Sequence, residues 1–180
     1  MTAPLDPRRA KAVRLVSLDV DGVLTDGSLW TGWDPASGSF EMRRFNALDG
    51  MAIRLLQRAG LVIAFLSGKR SSAVLIRAGE LEVEDVSLGA PEGKLAGLQG
   101  MLARRGWTLE QAAHMGDDLS DLAVMERVGL PVAVVGAVSE VRACAAWVGT
   151  VRGGEGAVRE FAKALLVARG EWEGLVAEFR

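Results

Sequence analysis

Residues 13–25 read VRLVSLDVDGVLT, an apolar run over 13–18 that stops on Asp19, Asp21 and Gly22. A short run rich in Val and Leu, bounded by polar residues, suits a strand covered on both faces, as in a parallel sheet. Similar runs recur at 61–66, 112–115 and 130–135, spaced too widely for an all-β protein. Helical patterns fill the gaps. Met51, Ile53, Leu55 and Leu56 stop at Ala59-Gly60; Val74, Leu75 and Ile76 stop at Gly79; Leu122, Met125 and Val128 stop at Gly129. Glycine just past a periodic run is a common helix end. A further pattern, Leu95, Leu98 and Leu102, follows the start Pro91-Glu92-Gly93. Alternating strand and helix predicts an α/β fold, a parallel sheet flanked by helices with right-handed crossovers.

Two segments interrupt this order. SLWTGW and SFEMRRF around Asp34-Pro35-Ala36-Ser37-Gly38 predict a β-hairpin over about 28–45. Gly153-Gly154-Glu155-Gly156 forms a Gly-rich turn ahead of a helix over about 157–168, in a C-terminal segment of about 152–180. No repeat or linker divides the chain, so residues 1–180 are expected to form one domain. Apolar residues are 49% and charged residues 24%, enough for a packed core, which excludes a disordered chain. A net charge of −2 argues against a nucleic-acid partner. The lone Cys144 forms no internal disulfide and suggests a small buried residue. No stretch approaches the roughly 18 apolar residues of a membrane span, and the first residues lack the apolar core of a secretory signal. A cytoplasmic protein is the expectation.

Three predicted strands end in polar groups: Asp19-Val20-Asp21-Gly22, Ser67-Gly68-Lys69, and Gly116-Asp117-Asp118 with Asp121 beyond. The carboxyl ends of parallel strands form the ligand crevice of open α/β sheets. Acids gathered there repel at roughly 4 kcal/mol per close pair at an effective dielectric of 20, and a divalent cation relieves this. Oxygen donors without a His or Cys cluster favour Mg²⁺ over zinc.

Asp19-Val20-Asp21-Gly22-Val23-Leu24-Thr25 resembles the DxDGxxT signature of the haloacid dehalogenase (HAD) superfamily. Ser67, Lys94 and the run from Gly116 to Asp121 match its other motifs in order. The likeness continues through DVDGVLTDG (19–27), the hairpin, FNALDGMAIRLL (45–56), SGKRSSAVLIR (67–77), GDDLSDLAVMERVGLPVAV (116–134) and RGGEGAVRE (152–160). Over nearly its whole length the chain is similar to the cap-less 3-deoxy-D-manno-octulosonate 8-phosphate (Kdo 8-phosphate) phosphatase family, which serves lipopolysaccharide biosynthesis. Two positions depart from the pattern: Lys69 stands where the family has Arg, and Ala47-Leu48-Asp49-Gly50 lacks an Arg two before its Asp-Gly.

The resemblance implies a HAD-like Rossmannoid fold and a Mg²⁺-dependent phosphatase working through an aspartyl-phosphate. Asp19 is then the nucleophile and Asp21 the acid and base. Asp19, Asp117 and the backbone carbonyl of Asp21 hold the metal. Asp118 and Asp121 either support that shell and Lys94 or cap the helix near Leu119. Ser67 and the Gly68 N–H bind phosphoryl oxygens, and Lys94 adds a charge to them. A serine triad at Ser67 would need a partnered histidine, and the single one, His114, reads as a packed core residue. Asn46, Asp49, Gly50, Arg54, Lys69 and Arg77 match positions that contact the sugar; Arg54 and Arg77 read equally as helix-surface charges.

The segment between Gly22 and Phe45 is too short for a separate cap domain. The family compensates as a homotetramer whose hairpins form a barrel. Trp30, Trp33, Phe40 and Phe45 either pack within the chain or supply that interface. Gly153–Gly156 is either a plain loop or the family's mobile tail. The alternatives are a phosphatase of a nine-carbon sialic-type sugar 9-phosphate, and a catalytically idle HAD-like module tied to nucleotide-sugar synthesis.

Overall fold

The computed structural model describes residues 4–180, so residues 1–3 of the expected domain lie outside the described residues. Six strands form one parallel sheet in the order β5-β4-β1-β6-β7-β8. They are β1 (Leu15–Asp19), β4 (Val62–Ser67), β5 (Asp85–Leu88), β6 (Ala112–Gly116), β7 (Leu130–Ala133) and β8 (Trp147–Val148). β1 lies at the centre and is buried throughout, as its apolar run requires. The four strands read from sequence are present with ends shifted by at most two residues. β5 and β8, at the sheet edges, are additional.

Helices α1 (Pro7–Ala12), α2 (Ala47–Arg58), α3 (Ser72–Glu80) and α7 (Ala157–Arg169) cover one face; α4 (Gly93–Ala103) and α5 (Leu122–Met125) cover the other. Short helices α6 (Ser139–Cys144) and α8 (Trp172–Ala177) complete the set. On the first face Ile53 and Leu56 of α2 and Phe161, Leu165 and Leu166 of α7 pack with Phe65 of β4. On the second, Leu98 and Leu102 of α4 meet Leu15 and Leu66. Burying such side chains stabilises by roughly 1.5–3 kcal/mol each. Cys144 is half-buried rather than buried.

Between β1 and α2 the chain makes only a two-stranded antiparallel hairpin, β2 (Trp30–Asp34) with β3 (Gly38–Met42), and no large cap. Its two tryptophans are not packed within the chain. Trp30 is 62% and Trp33 71% exposed, and Phe40 lies across Gly32. A free two-stranded ribbon has no second layer against which to bury them. Phe45 alone packs on the core edge, under Arg77.

Candidate active site

The carboxyl ends of β1, β4 and β6 converge because the three strands are neighbours in one parallel sheet. After Asp19 the chain leaves β1 in a single wide turn, Val20–Leu24, closed by Thr25 N–H on the Val20 carbonyl at 3.0 Å. Gly22 takes φ +107°, and a Cβ there would overlap Asp117 Oδ2. Glycine is thus required twice, for the backbone angle and for the close approach of β6's aspartate.

Asp19, Asp21, Ser67, Gly68, Lys69, Lys94 and Asp117 line one cavity of about 270 Å³. Lys94 Nζ donates to Asp19 Oδ1 at 2.6 Å, Asp121 Oδ1 at 2.7 Å and Ser120 Oγ at 3.0 Å. Its three hydrogens are therefore committed. Its charge neutralises the acids at the wall of the same cavity in which it was expected to meet the phosphoryl group. Ser67 Oγ accepts from Lys69 N–H at 3.2 Å, at the end of β4.

Asp121 is wholly buried and fully partnered. Besides Lys94, its Oδ1 accepts from His114 Nε2 at 2.9 Å, and its Oδ2 accepts from the N–H groups of Asp117 and Asp118 at 3.2 and 3.3 Å. His114 Nδ1 in turn lies 2.9 Å from Ser17 Oγ, its register partner on β1. His114 is a core residue, as read, but a working one that anchors Asp121. Asp118 caps the turn at Leu119–Asp121. Asp21 pairs with Arg43, Nε to Oδ1 at 2.8 Å, a partner that sequence reading missed.

The charge balance follows. Burial would raise Asp121, but hydrogen bonds and charge from His114 and Lys94 overcome it and hold the carboxyl well below its usual range. Lys94 is raised, because Asp19 and Asp121 outweigh its burial. Asp19 is pushed up to about 7 by burial and then by the Asp121 charge, against the opposing pull of Lys94. Asp117 rises to about 6, again by burial first. Asp117 Oδ1 is buried with no hydrogen-bond partner. Oxygens of Asp19, Asp117 and Asp121 lie within 4.8 Å of one another. An orphaned oxygen among crowded acids is what a hard divalent cation satisfies, so the residues fit one. Because both Asp121 oxygens are occupied, Asp19 and Asp117 are the side chains left to hold it.

Both raised acids bind a proton more tightly folded than unfolded, where they titrate near 3.8. Their contribution to stability is complete below about pH 4 and is lost as pH rises through about 6 and 7. Without metal, the thermal midpoint is expected to fall across that window. Mg²⁺ is expected to raise it far more at neutral pH than near pH 4. Melting curves with chelator and with Mg²⁺ check both; a Mg²⁺ effect of equal size at the two ends would contradict the charge balance.

Five residues matched to sugar contacts lie outside this cavity. Asn46 caps α2 and donates to the Gly154 carbonyl at 3.3 Å. Asp49 is buried, and its Oδ1 accepts from Arg159 N–H at 2.9 Å, in the first turn of α7. Gly50 gives room to the Arg77 guanidinium. Arg54 donates to the Glu80 carbonyl at 2.8 Å, and Arg77 pairs with Glu80 at 2.9 Å. Within one chain these residues tie α2 to α3 and α7. Gly153 and Gly154 pack on Gly22–Asp26 of the same chain, with Gly154 N–H on the Val23 carbonyl at 3.0 Å.

A parallel sheet with an Asp-x-Asp-Gly turn and a lysine-braced acid cluster at its carboxyl edge defines a HAD-type phosphatase, a phosphoric monoester hydrolase. Residues 92–160 match the haloacid dehalogenase-like hydrolase family model. The 3-deoxy-D-manno-octulosonate 8-phosphate phosphatase KdsC of Yersinia pestis is 36% identical over 167 residues, 93% of this chain and 87% of that protein. A probable YrbI family phosphatase from Pseudomonas syringae superposes with a TM-score of 0.89 at 42% identity, over 96% of each chain. The 3-deoxy-D-manno-octulosonate 8-phosphate phosphatase of Moraxella catarrhalis, in complex with magnesium, phosphate and KDO, gives 0.90 at 32% identity over 97% of each. The chain belongs to the 3-deoxy-D-manno-octulosonate 8-phosphate phosphatase family.

Proposed function

We propose that this protein is a Mg²⁺-dependent phosphatase that hydrolyses Kdo 8-phosphate to Kdo and inorganic phosphate. The observation that carries the reading is the cavity joining Asp19, Asp21, Ser67, Lys94 and Asp117 in a member of this family. Asp19 attacks phosphorus through a carboxylate oxygen. The O–P bond forms as the bond to the sugar oxygen breaks, and that oxygen takes its electron pair and a proton from Asp21. Asp21 then accepts a proton from the water that cleaves the aspartyl-phosphate, releasing phosphate and restoring Asp19. Asp19, Asp117 and the Asp21 carbonyl would hold Mg²⁺, which when bound supplies positive charge against the ester's dianion. Lys94 offsets Asp19 and Asp121, so an anion entering the cavity meets a neutralised wall. Ser67, Gly68 and Lys69 face the phosphoryl and sugar groups from the end of β4.

Phosphate release from Kdo 8-phosphate and a sialic-acid 9-phosphate, with and without Mg²⁺, tests this. Release that needs Mg²⁺ and favours the eight-carbon ester is expected. Preference for the nine-carbon ester would reassign the sugar, and silence on both would make the chain an idle module. A homotetramer built through the hairpins is part of the proposal, supported by the bare Trp30 and Trp33; a monomeric mass at micromolar concentration would refute it. We place the enzyme in the cytoplasm, in lipopolysaccharide biosynthesis, because a charged sugar phosphate does not cross membranes and is consumed where it is made.

A further inference from the structure

Arg43 follows β3 and turns inward, its side chain only 1% exposed. Its Nε donates to Asp21 Oδ1 at 2.8 Å and its Nη2 reaches Asp21 Oδ2 at 3.4 Å. Nη1 donates to Ser71 Oγ at 2.7 Å and pairs with Glu41 Oε2 at 2.6 Å. Ser71 is fixed in turn as the cap of α3, accepting from Val74 N–H at 3.3 Å. The guanidinium is thus clamped from the hairpin and from α3, and it grips the carboxylate of Asp21 edge-on.

Such a grip matters at this position. Asp21 sits in the kinked turn after β1, beside a glycine at φ +107°. It has no other side-chain hydrogen bond among those recorded for the described residues. A planar guanidinium fixes the plane of a carboxylate as an ammonium does not. The close contact falls on Oδ1, leaving Oδ2, weakly engaged, as the oxygen free to carry and pass a proton.

The geometry points to Arg43 as the positioning residue for Asp21, the group that holds the proton donor at the angle the leaving sugar oxygen requires. Arg43 does not line the cavity and acts on the reaction only through the carboxylate of Asp21. The inference rests on the phosphatase reading above and adds to it the part by which a hairpin, in place of a cap domain, enters the chemistry.

Leaving-group dependence isolates this role. Expulsion of a sugar alkoxide needs a proton, whereas nitrophenolate leaves unaided. Rapid-mixing rates of the first step, release of sugar from Kdo 8-phosphate and of nitrophenolate from para-nitrophenyl phosphate, are compared in wild type, Arg43→Met and Arg43→Lys. In Arg43→Met the sugar step is expected to slow by ~10²-fold or more relative to the aryl step, the scale of general-acid catalysis. Arg43→Lys is expected to recover part of the loss, keeping the charge without the fork. Should the Met variant not fold, Arg43→Gln carries the same comparison. Equal slowing of both steps, or slowing of neither, overturns the inference while leaving the phosphatase standing. A wild type inert to both esters overturns the functional reading and this inference with it.

Discussion

Asp19→Asn is expected to abolish phosphate release, lowering turnover by at least ~10⁴-fold, the scale of loss when an enzyme's nucleophile is removed. The amide is nearly the same size, and its oxygen still accepts from Lys94, so the fold is not at risk. Stability is expected to move the other way. Asp19 is buried beside two other carboxyls and is pushed up to about 7, so at neutral pH its ionised form strains the metal-free protein. A neutral side chain relieves that strain. The variant should therefore melt at an equal or higher temperature than wild type without metal, and gain little from Mg²⁺. Turnover assays and melting curves on one preparation check the pair. Retained turnover would move the covalent step off Asp19, and a variant that melts early would show the acid to be structural.

That opposition explains which parts of the molecule were legible beforehand. β1, β4, β6 and β7 announce themselves because a strand covered on both faces has to be apolar throughout. β5 does not, since its edge position tolerates Asp85 and Ser87, and the two residues of β8 make no pattern at all. The acids and Lys94 were legible as spaced motifs. His114 was not: its link to Asp121 follows from pairing with Ser17 across neighbouring strands, and sheet order cannot be read from one strand. Arg43 stands beside Arg44, a like residue that turns outward to pair with Asp26. The one available signal was spacing, since Glu41 and Arg43 lie two apart on an extended segment and share a face. The contact that Asp49 makes with α7 was hidden for a physical reason. Helix α7 begins after Gly156, which has no side chain to cap it, and Asp49 of α2 supplies the missing acceptor.

Lys94→Met carries the second large effect, and it falls on stability and activity together. Removing one partner of a buried ion pair costs about 3–5 kcal/mol, because the charge left behind is uncompensated. Here the orphan is Asp19 rather than Asp121. Asp121 keeps His114 and the N–H groups of Asp117 and Asp118, whereas Asp19 loses the single cation recorded at its carboxylate. An orphaned acid escapes its strain by taking a proton or a metal ion. The urea midpoint of the metal-free variant should therefore drop sharply at neutral pH, drop less near pH 5, and recover substantially in Mg²⁺. Activity should not recover with it. Mg²⁺ restores net charge but not the ammonium that fixes Asp19 Oδ1 at 2.6 Å, and losing one preorganised contact of this kind costs ~10²–10³-fold in turnover. Stability and turnover restored together by Mg²⁺ would reduce Lys94 to a counter-ion. A stability loss that Mg²⁺ leaves untouched would mean that the cation does not share the acids that Lys94 holds.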